Sequence, residues 1–325
     1  MRSHGADSEV DSMTTMARDT VAPQRKSGGP SGLSRPSRRR GRWQGWMFVG
    51  PFMGVFALTF LAPVAYALYL SLFRDRLIGG VSFVGLSNYA QALADPKLHE
   101  GALRVGLFLV VQVPIMLGLA LVAALALDSP RLAGRALFRI GLFLPYAVPG
   151  VVAVLMWGYI YSPRMGLLAD LNAALGLGAD PFSAQWILVA IGNIVTWEFL
   201  GYNMLIFYSA LSSIPLERYE AAALDGAGPL RTVWSIKLPA LRGAIVIATI
   251  FSIIGSFQLF NEPNILRSFA PSLITTFYTP NMYAYNLSFF GQQVNYAATV
   301  AIVMGVITAV IAYIVQLRGS REDLR

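Results

Sequence analysis

The stretch that decides the fold of this chain is EAAALDGA at residues 220–227, followed by IKLP at residues 236–239. Nine residues separate Gly226 from the second block. The whole segment lies between two long apolar stretches, at about 185–209 and 243–262. A polar, alanine-rich element between two apolar stretches of that length predicts a structured loop between membrane helices.

The segment itself predicts a helix, a glycine turn and a second helix. Pro215 and Glu217 suit a first helical turn, because proline needs no backbone donor there and an acid complements the helix dipole. The alanines favour helix, and Gly226 is placed to end it with a positive φ. A second short helix is predicted from Pro229 to about Lys237, with Pro239 stopping the pattern.

Composition predicts an all-α polytopic membrane protein. Hydrophobic residues make up 55% of the 325-residue chain and charged residues only 13%, against about 25% in soluble domains. The charges cluster and leave apolar stretches of about 20 residues, the length that crosses a bilayer. Six transmembrane helices are predicted, at about 46–72, 104–127, 138–161, 185–209, 243–262 and 297–317.

The basic residues predict that both termini are inside. With that orientation, 19 of the 25 lysines and arginines fall in the N-terminal tail, two loops and the C-terminal tail on the cytoplasmic side. Basic residues favour the cytoplasmic face of a membrane protein. The coupling loop, which we define as residues 210–242, is therefore predicted to be cytoplasmic, and the net charge of +8 is explained by topology rather than by a nucleic-acid partner.

Three regions are predicted. Residues 1–45 form a basic, disordered cytoplasmic tail, since they are rich in Ser, Gly, Pro and Arg and lack apolar periodicity. The lead-in before the first apolar stretch is too long for a signal peptide. Residues 46–318 form the six-helix transmembrane domain, and residues 319–325 form a second cytoplasmic tail. The protein is expected in the bacterial cytoplasmic membrane as a multi-pass protein.

The sequence predicts no catalytic site, no metal site and no cofactor in this chain. There is no cysteine, and the two histidines, His4 and His99, are far apart in sequence. No glycine-rich phosphate loop ending in Gly-Lys-Ser/Thr is present, so the chain is not expected to hydrolyse ATP alone. A membrane enzyme is disfavoured because the apolar segments carry few titratable groups.

Polar residues inside two predicted spans indicate a substrate path. Glu198 lies near the middle of the fourth span, where a carboxylate is costly unless it faces a cavity or a partner, and Tyr202 shares its face at i, i+4. On the fifth span Gln258, Asn261 and Glu262 share one face. The predicted path consists of Glu198, Tyr202, Asn203, Gln258, Asn261 and Glu262.

Two alternatives stay open for these residues. Glu198 could pair with a helix of a partner chain, and Glu262 could mark the membrane edge. The external loop at 263–296 is rich in Tyr, Phe, Asn and Gln, which suits either sugar binding or an aromatic belt at the membrane interface.

The coupling loop resembles the one by which permeases of the binding-protein-dependent ABC importers dock onto their ATPase subunits. The matching positions are Glu220, Ala221, Ala222, Asp225, Gly226, Ala227, Ile236, Leu238 and Pro239. The stretch FVGLSNY at 83–89 resembles the carbohydrate-uptake branch (the maltose and glycerol-phosphate type), whereas Arg104-Val105 departs from its pattern at the start of the second span. The resemblance covers about residues 46–318.

The resemblance implies a heterodimer with a second permease, two ATPase subunits that use ATP and Mg²⁺, and an extracytoplasmic solute-binding lipoprotein. The implied function is translocation of a sugar, with di- or oligosaccharide favoured. A permease for glycerol phosphate, an amino acid or a polyamine is the first alternative. A proton-coupled secondary carrier, with Glu198 and Glu262 as a proton relay, is the second.

Overall fold

The computed structural model describes residues 38–322 except 77–78, 130–131, 164–165 and 177, and it describes no side chains for 38–45 and 320–322. The chain divides into two units, one ending at Phe56 and the other beginning at Ala57. The fifteen α-helices in the described part are α1 (Arg38–Phe56), α2 (Ala62–Ser71), α3 (Ser87–Leu93), α4 (Pro96–Asp128), α5 (Arg135–Phe143), α6 (Gly150–Tyr161), α7 (Leu167–Leu175), α8 (Ile187–Ser212), α9 (Leu216–Leu224), α10 (Pro229–Thr232), α11 (Leu238–Ala240), α12 (Arg242–Phe257), α13 (Asn261–Leu266), α14 (Pro280–Phe289) and α15 (Val294–Glu322).

Shorter elements complete the described chain. Two π-helical turns lie at Ala57–Leu61 and Val233–Lys237, and a 3-10 turn lies at Leu144–Ala147. The strands β1 (Phe73–Arg76) and β2 (Gly80–Phe83) form an antiparallel hairpin. The prediction of an all-α chain misses this hairpin, which an edge-to-face contact between Phe73 and Phe83 stabilises.

Membrane-crossing helices are present in the predicted number when a bent pair is taken as one span. Among the described residues, five segments are long and apolar enough to cross a membrane, namely Trp46–Ser71, Pro96–Asp128, Ile187–Ser212, Arg242–Leu266 and Val294–Gly319. The pair Arg135–Ala147 and Gly150–Tyr161 supplies the sixth. The prediction of a polytopic helical membrane protein is therefore confirmed at this level.

The third predicted span, 138–161, is wrong as a single straight helix. Its two halves meet at an angle of 97°. Pro145 lies in the 3-10 turn and Pro149 precedes the first residue of α6. Val148 adopts extended backbone angles, as a residue before proline is biased to do, so the helix cannot continue through it.

Several predicted boundaries shift. The first helix begins at Arg38 rather than 46, so residues 38–45 of the predicted tail are helical, while 1–37 and 323–325 lie outside the described residues. The second span begins at Pro96 rather than 104, because Asp95 caps α4 by accepting a hydrogen bond from the Lys97 amide at 2.9 Å. The fifth span is interrupted between α12 and α13, at residues 258–260.

Asp95 also connects three elements at this end of α4. Its Oδ2 accepts hydrogen bonds from the hydroxyls of Tyr283 on α14 and Tyr296 on α15, at 2.7 and 2.8 Å. Burial raises the pKa of Asp95, but these hydrogen bonds and those from backbone amides outweigh it, so the pKa is lower than its usual value.

The core is organised around α4 and α8, which pack against each other extensively. Half of the apolar window of α8 is buried, the largest share among the five single-segment spans. Residues from the C-terminal halves of α4 and α8, such as Ala120, Ala124, Met204 and Phe207, form one cluster with Ala248 of α12. α15 packs against α2, α12 and α14. The residues between α4, α8 and α12 are therefore held by the three most buried of these five described spans.

Candidate functional site

A cavity of about 440 Å³ lies between α4, α8, α12 and the 3-10 turn of the bent span. That volume is within the usual range of about 300 to 1,000 Å³ for small-molecule sites. Its walls combine aromatic rings with neutral polar groups, and no lysine or arginine of the described chain lines it.

Aromatic rings form one wall of this cavity. Tyr146 of the 3-10 turn stacks on Tyr202 of α8, with ring centroids 5.0 Å apart and an interplanar angle of 19°. The same ring meets Phe199 edge-on at 5.8 Å. Phe108 of α4 and Phe251 of α12 also line the cavity. Such faces can cover the apolar face of a sugar ring.

The structure brings five of the six predicted path residues together on the cavity wall: Tyr202, Asn203, Gln258, Asn261 and Glu262. Both Gln258, in the break between α12 and α13, and Asn261, the first residue of α13, are exposed. Asn203 is buried, and its amide donates a hydrogen bond to the Phe199 carbonyl at 3.0 Å. That donor is therefore already used within α8.

Glu198, the sixth predicted residue, is not among the side chains that line the cavity. It is only 7% exposed, and its Oε2 is buried without a hydrogen-bond partner in the described chain. Glu198 and Glu262 are close enough to repel each other. Within the described residues no group of three or more His, Cys, Asp or Glu side chains could hold a metal ion.

Sequence reasoning missed four polar lining residues: Gln112, Tyr146, Ser252 and Ser256. The Gln112 amide donates to the Thr196 hydroxyl at 2.9 Å, while its Oε1 is buried with no hydrogen-bond partner among described residues. Gln112 is the one strongly polar side chain between Val105 and Leu127, which is the signal that could have identified it. Tyr146 carries no such signal, because its place depends on the bend.

The coupling loop has the predicted helix, glycine turn and helix. α9 ends at Leu224, and Gly226 has φ of +70°. The Gly226 amide donates to the Ala223 carbonyl at 3.1 Å and the Ala227 amide to the Ala222 carbonyl at 2.9 Å. These two hydrogen bonds form a Schellman motif, in which the residue with positive φ is usually glycine.

Pro239 does not stop the second helix as predicted. The helical course continues from α10 through the π turn at Val233–Lys237 and into α11, which contains Pro239 in its first turn. Proline is tolerated there because a first-turn residue needs no backbone donor. The Leu238 amide donates a hydrogen bond to the Val233 carbonyl, five residues earlier. This wider π turn lets the helical course continue past Pro239.

The two helices of the coupling loop leave a groove and a set of exposed apolar side chains. The groove is lined by the small residues Ala221, Ala222 and Ala227, by polar residues such as Asp225, and by the apolar Ile236. Leu224 is 90% exposed, and Leu216, Leu230 and Trp234 are also exposed. Glu220 and Gly226 are exposed as well. Apolar side chains exposed on a polar loop indicate a surface for protein contact.

An ion pair fixes the coupling loop to the end of α4. The Lys237 ammonium lies 2.5 Å from Oδ2 of Asp128, and both side chains are largely buried. The same ammonium lies 5.7 Å from the ring centroid of Tyr219 on α9. Burial and then the charge of Asp128 raise the pKa of the Tyr219 hydroxyl. The loop is thus attached to α4 as well as to α8 and α12.

Comparison with known proteins agrees with this architecture. The chain is 32% identical over 283 residues to the lactose transport system permease protein LacF of Rhizobium radiobacter, covering 86% of this chain and 94% of the relative. It is 31% identical to the diacetylchitobiose uptake system permease protein NgcF of Streptomyces coelicolor, covering 87% and 85%.

A solved structure has the same fold. It is that of a bacterial ABC transporter involved in the import of the acidic polysaccharide alginate, with a TM-score of 0.72 and 18% identity, over 87% of this chain and 96% of that chain. Residues 115–320 match the family described as binding-protein-dependent transport system inner membrane component. The chain therefore belongs to the family of inner-membrane components of binding-protein-dependent transport systems.

Proposed function

We propose that this chain is one of two permease subunits of an ATP-driven importer, and that its solute is a neutral di- or oligosaccharide delivered by an extracytoplasmic binding protein. The observation that carries the proposal is the cavity lined by stacked tyrosines and amides. A sugar offers apolar ring faces to the former and hydroxyl groups to the latter. The relatives named for lactose and diacetylchitobiose support the same solute class.

The charges of the cavity support a neutral solute over a phosphate ester. Glu262 lines the cavity, whereas no lysine or arginine of the described chain does so. A phosphate site would be expected to present arginines, and a nearby carboxylate would repel the anion. Glycerol phosphate is therefore disfavoured.

The coupling loop supports an ATPase partner on the cytoplasmic side. Tyr202 lies about 15 Å along α8 from Ser212, and Phe251 lies about 14 Å along α12 from Arg242, at 1.5 Å per residue. The two helices that line the cavity thus lead directly to the coupling loop. ATP and Mg²⁺ act on the two ATPase subunits, and we expect this chain to bind no cofactor of its own.

The test is uptake by the complete importer, with its partner permease, ATPase subunits and sugar-loaded binding protein, in proteoliposomes. We expect uptake only with ATP inside and not from a proton gradient. Tyr202→Ala should lower transport efficiency about tenfold through the lost stacking face. Tyr313→Ala, which removes an exposed ring on α15 away from the cavity, is the matched control and should transport normally.

Two outcomes would contradict the proposal. Uptake driven by a proton gradient without ATP would establish a secondary carrier. Equal transport by the Tyr202 and Tyr313 variants would show that the cavity is not on the solute path.

A further inference from the structure

The bend in the third span leaves the start of α6 inside the protein. α6 begins at Gly150, and the Val152 and Ala153 amides donate to the carbonyl of Pro149, the residue before the helix, at 2.8 and 3.0 Å. The first amides of a helix, here those of Gly150 and Val151, have no acceptor in their own helix and carry partial positive charge. This α6 start needs a negative or accepting group near it.

Glu198 of α8 lies at that point. Its Oε1 is 3.1 Å from the position that a Cβ atom on Gly150 would occupy. Among the described residues it is the one atom within 4 Å of that position outside the helix itself and the neighbouring residues. The side chain is 93% buried, since it is 7% exposed, and its Oε2 has no hydrogen-bond partner in the described chain. The absence of a side chain on Gly150 makes room for the carboxylate.

The same turn of α8 also contacts the other side of the bend. Phe199, next to Glu198, meets Tyr146 edge-on, and Tyr202, one helical turn further, stacks on it. Tyr146 lies four residues before Gly150. One turn of α8 therefore contacts both the start of α6 and the aromatic residue that the bend places on the cavity wall.

We propose that Glu198 is a positioning residue that acts through Tyr146. Its carboxylate stabilises the start of α6, the bend is held at its angle, and Tyr146 is thereby held against Tyr202 on the cavity wall. A buried carboxylate is unfavourable in a membrane span unless it is compensated, and the positive end of α6 supplies compensation. Glu198 does not contact the solute. The expected effect of Glu198 on transport rests on the proposed sugar-permease function, whereas its effect on the position of Tyr146 does not.

A double-mutant cycle separates a positioning role from direct solute contact. In the reconstituted importer, Glu198→Ala should raise the half-saturating concentration of sugar-loaded binding protein about tenfold. In a Tyr146→Ala background it should have little further effect, because the residue it positions is gone. Glu262→Gln alters a carboxyl group that does line the cavity, and its effect should add to that of Tyr146→Ala.

Two more variants test the contact between Glu198 and Gly150. Glu198→Gln keeps the accepting oxygen and should restore most of the affinity lost in Glu198→Ala. Gly150→Ala pushes a Cβ atom against the carboxylate and should reproduce the Glu198→Ala phenotype. Additive effects of Glu198→Ala and Tyr146→Ala, or normal affinity in both Glu198→Ala and Gly150→Ala, would overturn the proposal.

A cross-linking measurement needs no solute, so it tests the position of Tyr146 even if the sugar assignment is wrong. The chain has no cysteine, so Tyr146→Cys with Tyr202→Cys creates a single pair for a short bifunctional maleimide. We expect efficient cross-linking with Glu198 present and a several-fold loss with Glu198→Ala. Equal cross-linking in both would overturn the positioning role, whatever the solute, provided that both proteins elute as folded particles in size-exclusion chromatography.

Discussion

Gly201 shows how one residue determines the closeness of two helices. A Cβ atom at this position would lie 2.0 Å from the Leu142 carbonyl oxygen, which belongs to the backbone of α5. Backbone atoms cannot move aside as a flexible side chain can. Gly201 is therefore required for α8 to approach the bent span closely enough for Tyr146 to reach Tyr202.

We expect Gly201→Ala to destabilise the protein by about 1 to 3 kcal/mol, because overpacking forces the two elements apart. Thermal unfolding of the purified chain in detergent measures the change. Gly118→Ala on α4 is the matched control, since its Cβ would meet no atom within 4 Å, and it should leave the melting temperature unchanged or slightly higher. Equal melting of the two variants would show that the close approach is dispensable.

The coupling loop is the element whose local sequence and tertiary contacts agree most closely. The Schellman motif at Gly226 ends α9, and the ion pair between Lys237 and Asp128 ties the second helix to α4. A short element held at both ends transmits a displacement better than a flexible one. This arrangement suits a loop that carries motion from an ATPase partner to α8 and α12.

Charge reversal at Glu220 should abolish ATP-driven uptake while membrane insertion stays normal, because Glu220 is exposed on the proposed docking surface. Gly226→Asp should do the same, since a side chain at φ of +70° costs about 1 kcal/mol and disturbs the turn. Uptake and ATPase copurification from membranes measure both effects.

Asp170→Lys on α7 is the control for Glu220→Lys, because it is the same kind of charge reversal in another nine-residue helix. It should transport normally and retain the ATPase. Normal uptake by both coupling-loop variants would contradict the docking role.

At the scale of the whole molecule, family membership confirms a transport subunit of the inner membrane rather than an enzyme. The orientation of the chain remains a prediction from the distribution of basic residues. In that orientation α9 and α10 lie on the cytoplasmic side, and the break between α12 and α13 lies nearer the extracytoplasmic side.

Two matched serines test the orientation. Ser213 and Ser268 are both exposed, and each hydroxyl donates to the carbonyl three residues earlier at 2.7 Å. In intact cells whose outer barrier is permeable to the reagent, a membrane-impermeant maleimide should label Ser268→Cys. It should label Ser213→Cys only after the inner membrane is opened. The reverse pattern would invert the topology, and the native chain, without cysteine, gives the background.

Local sequence was sufficient for the features that depend on neighbours along the chain. The length of the apolar stretches predicted the spans, and Gly226 predicted the turn, because a helix end depends on hydrogen bonds within five residues. The choice of polar residues within the apolar stretches likewise identified Tyr202, Gln258, Asn261 and Glu262, which lie on the cavity wall. The single-helix faces predicted for them do not hold, because Glu198 is not on that wall and the fifth span is interrupted at residues 258–260.

The angle of the third span, the role of Glu198 and the contribution of Gln112 and Tyr146 depended instead on contacts between distant parts of the chain. Pro145 and Pro149 are visible as helix breakers, but local sequence does not reveal the 97° angle. It also does not reveal that the backbone at Leu142 comes close to Gly201 or that Glu198 Oε1 lies near Gly150. A pattern along one helix cannot state which helix lies beside it. Packing brought Gln112 and Tyr146 to the cavity from two other elements, and it turned Glu198 from the cavity toward Gly150.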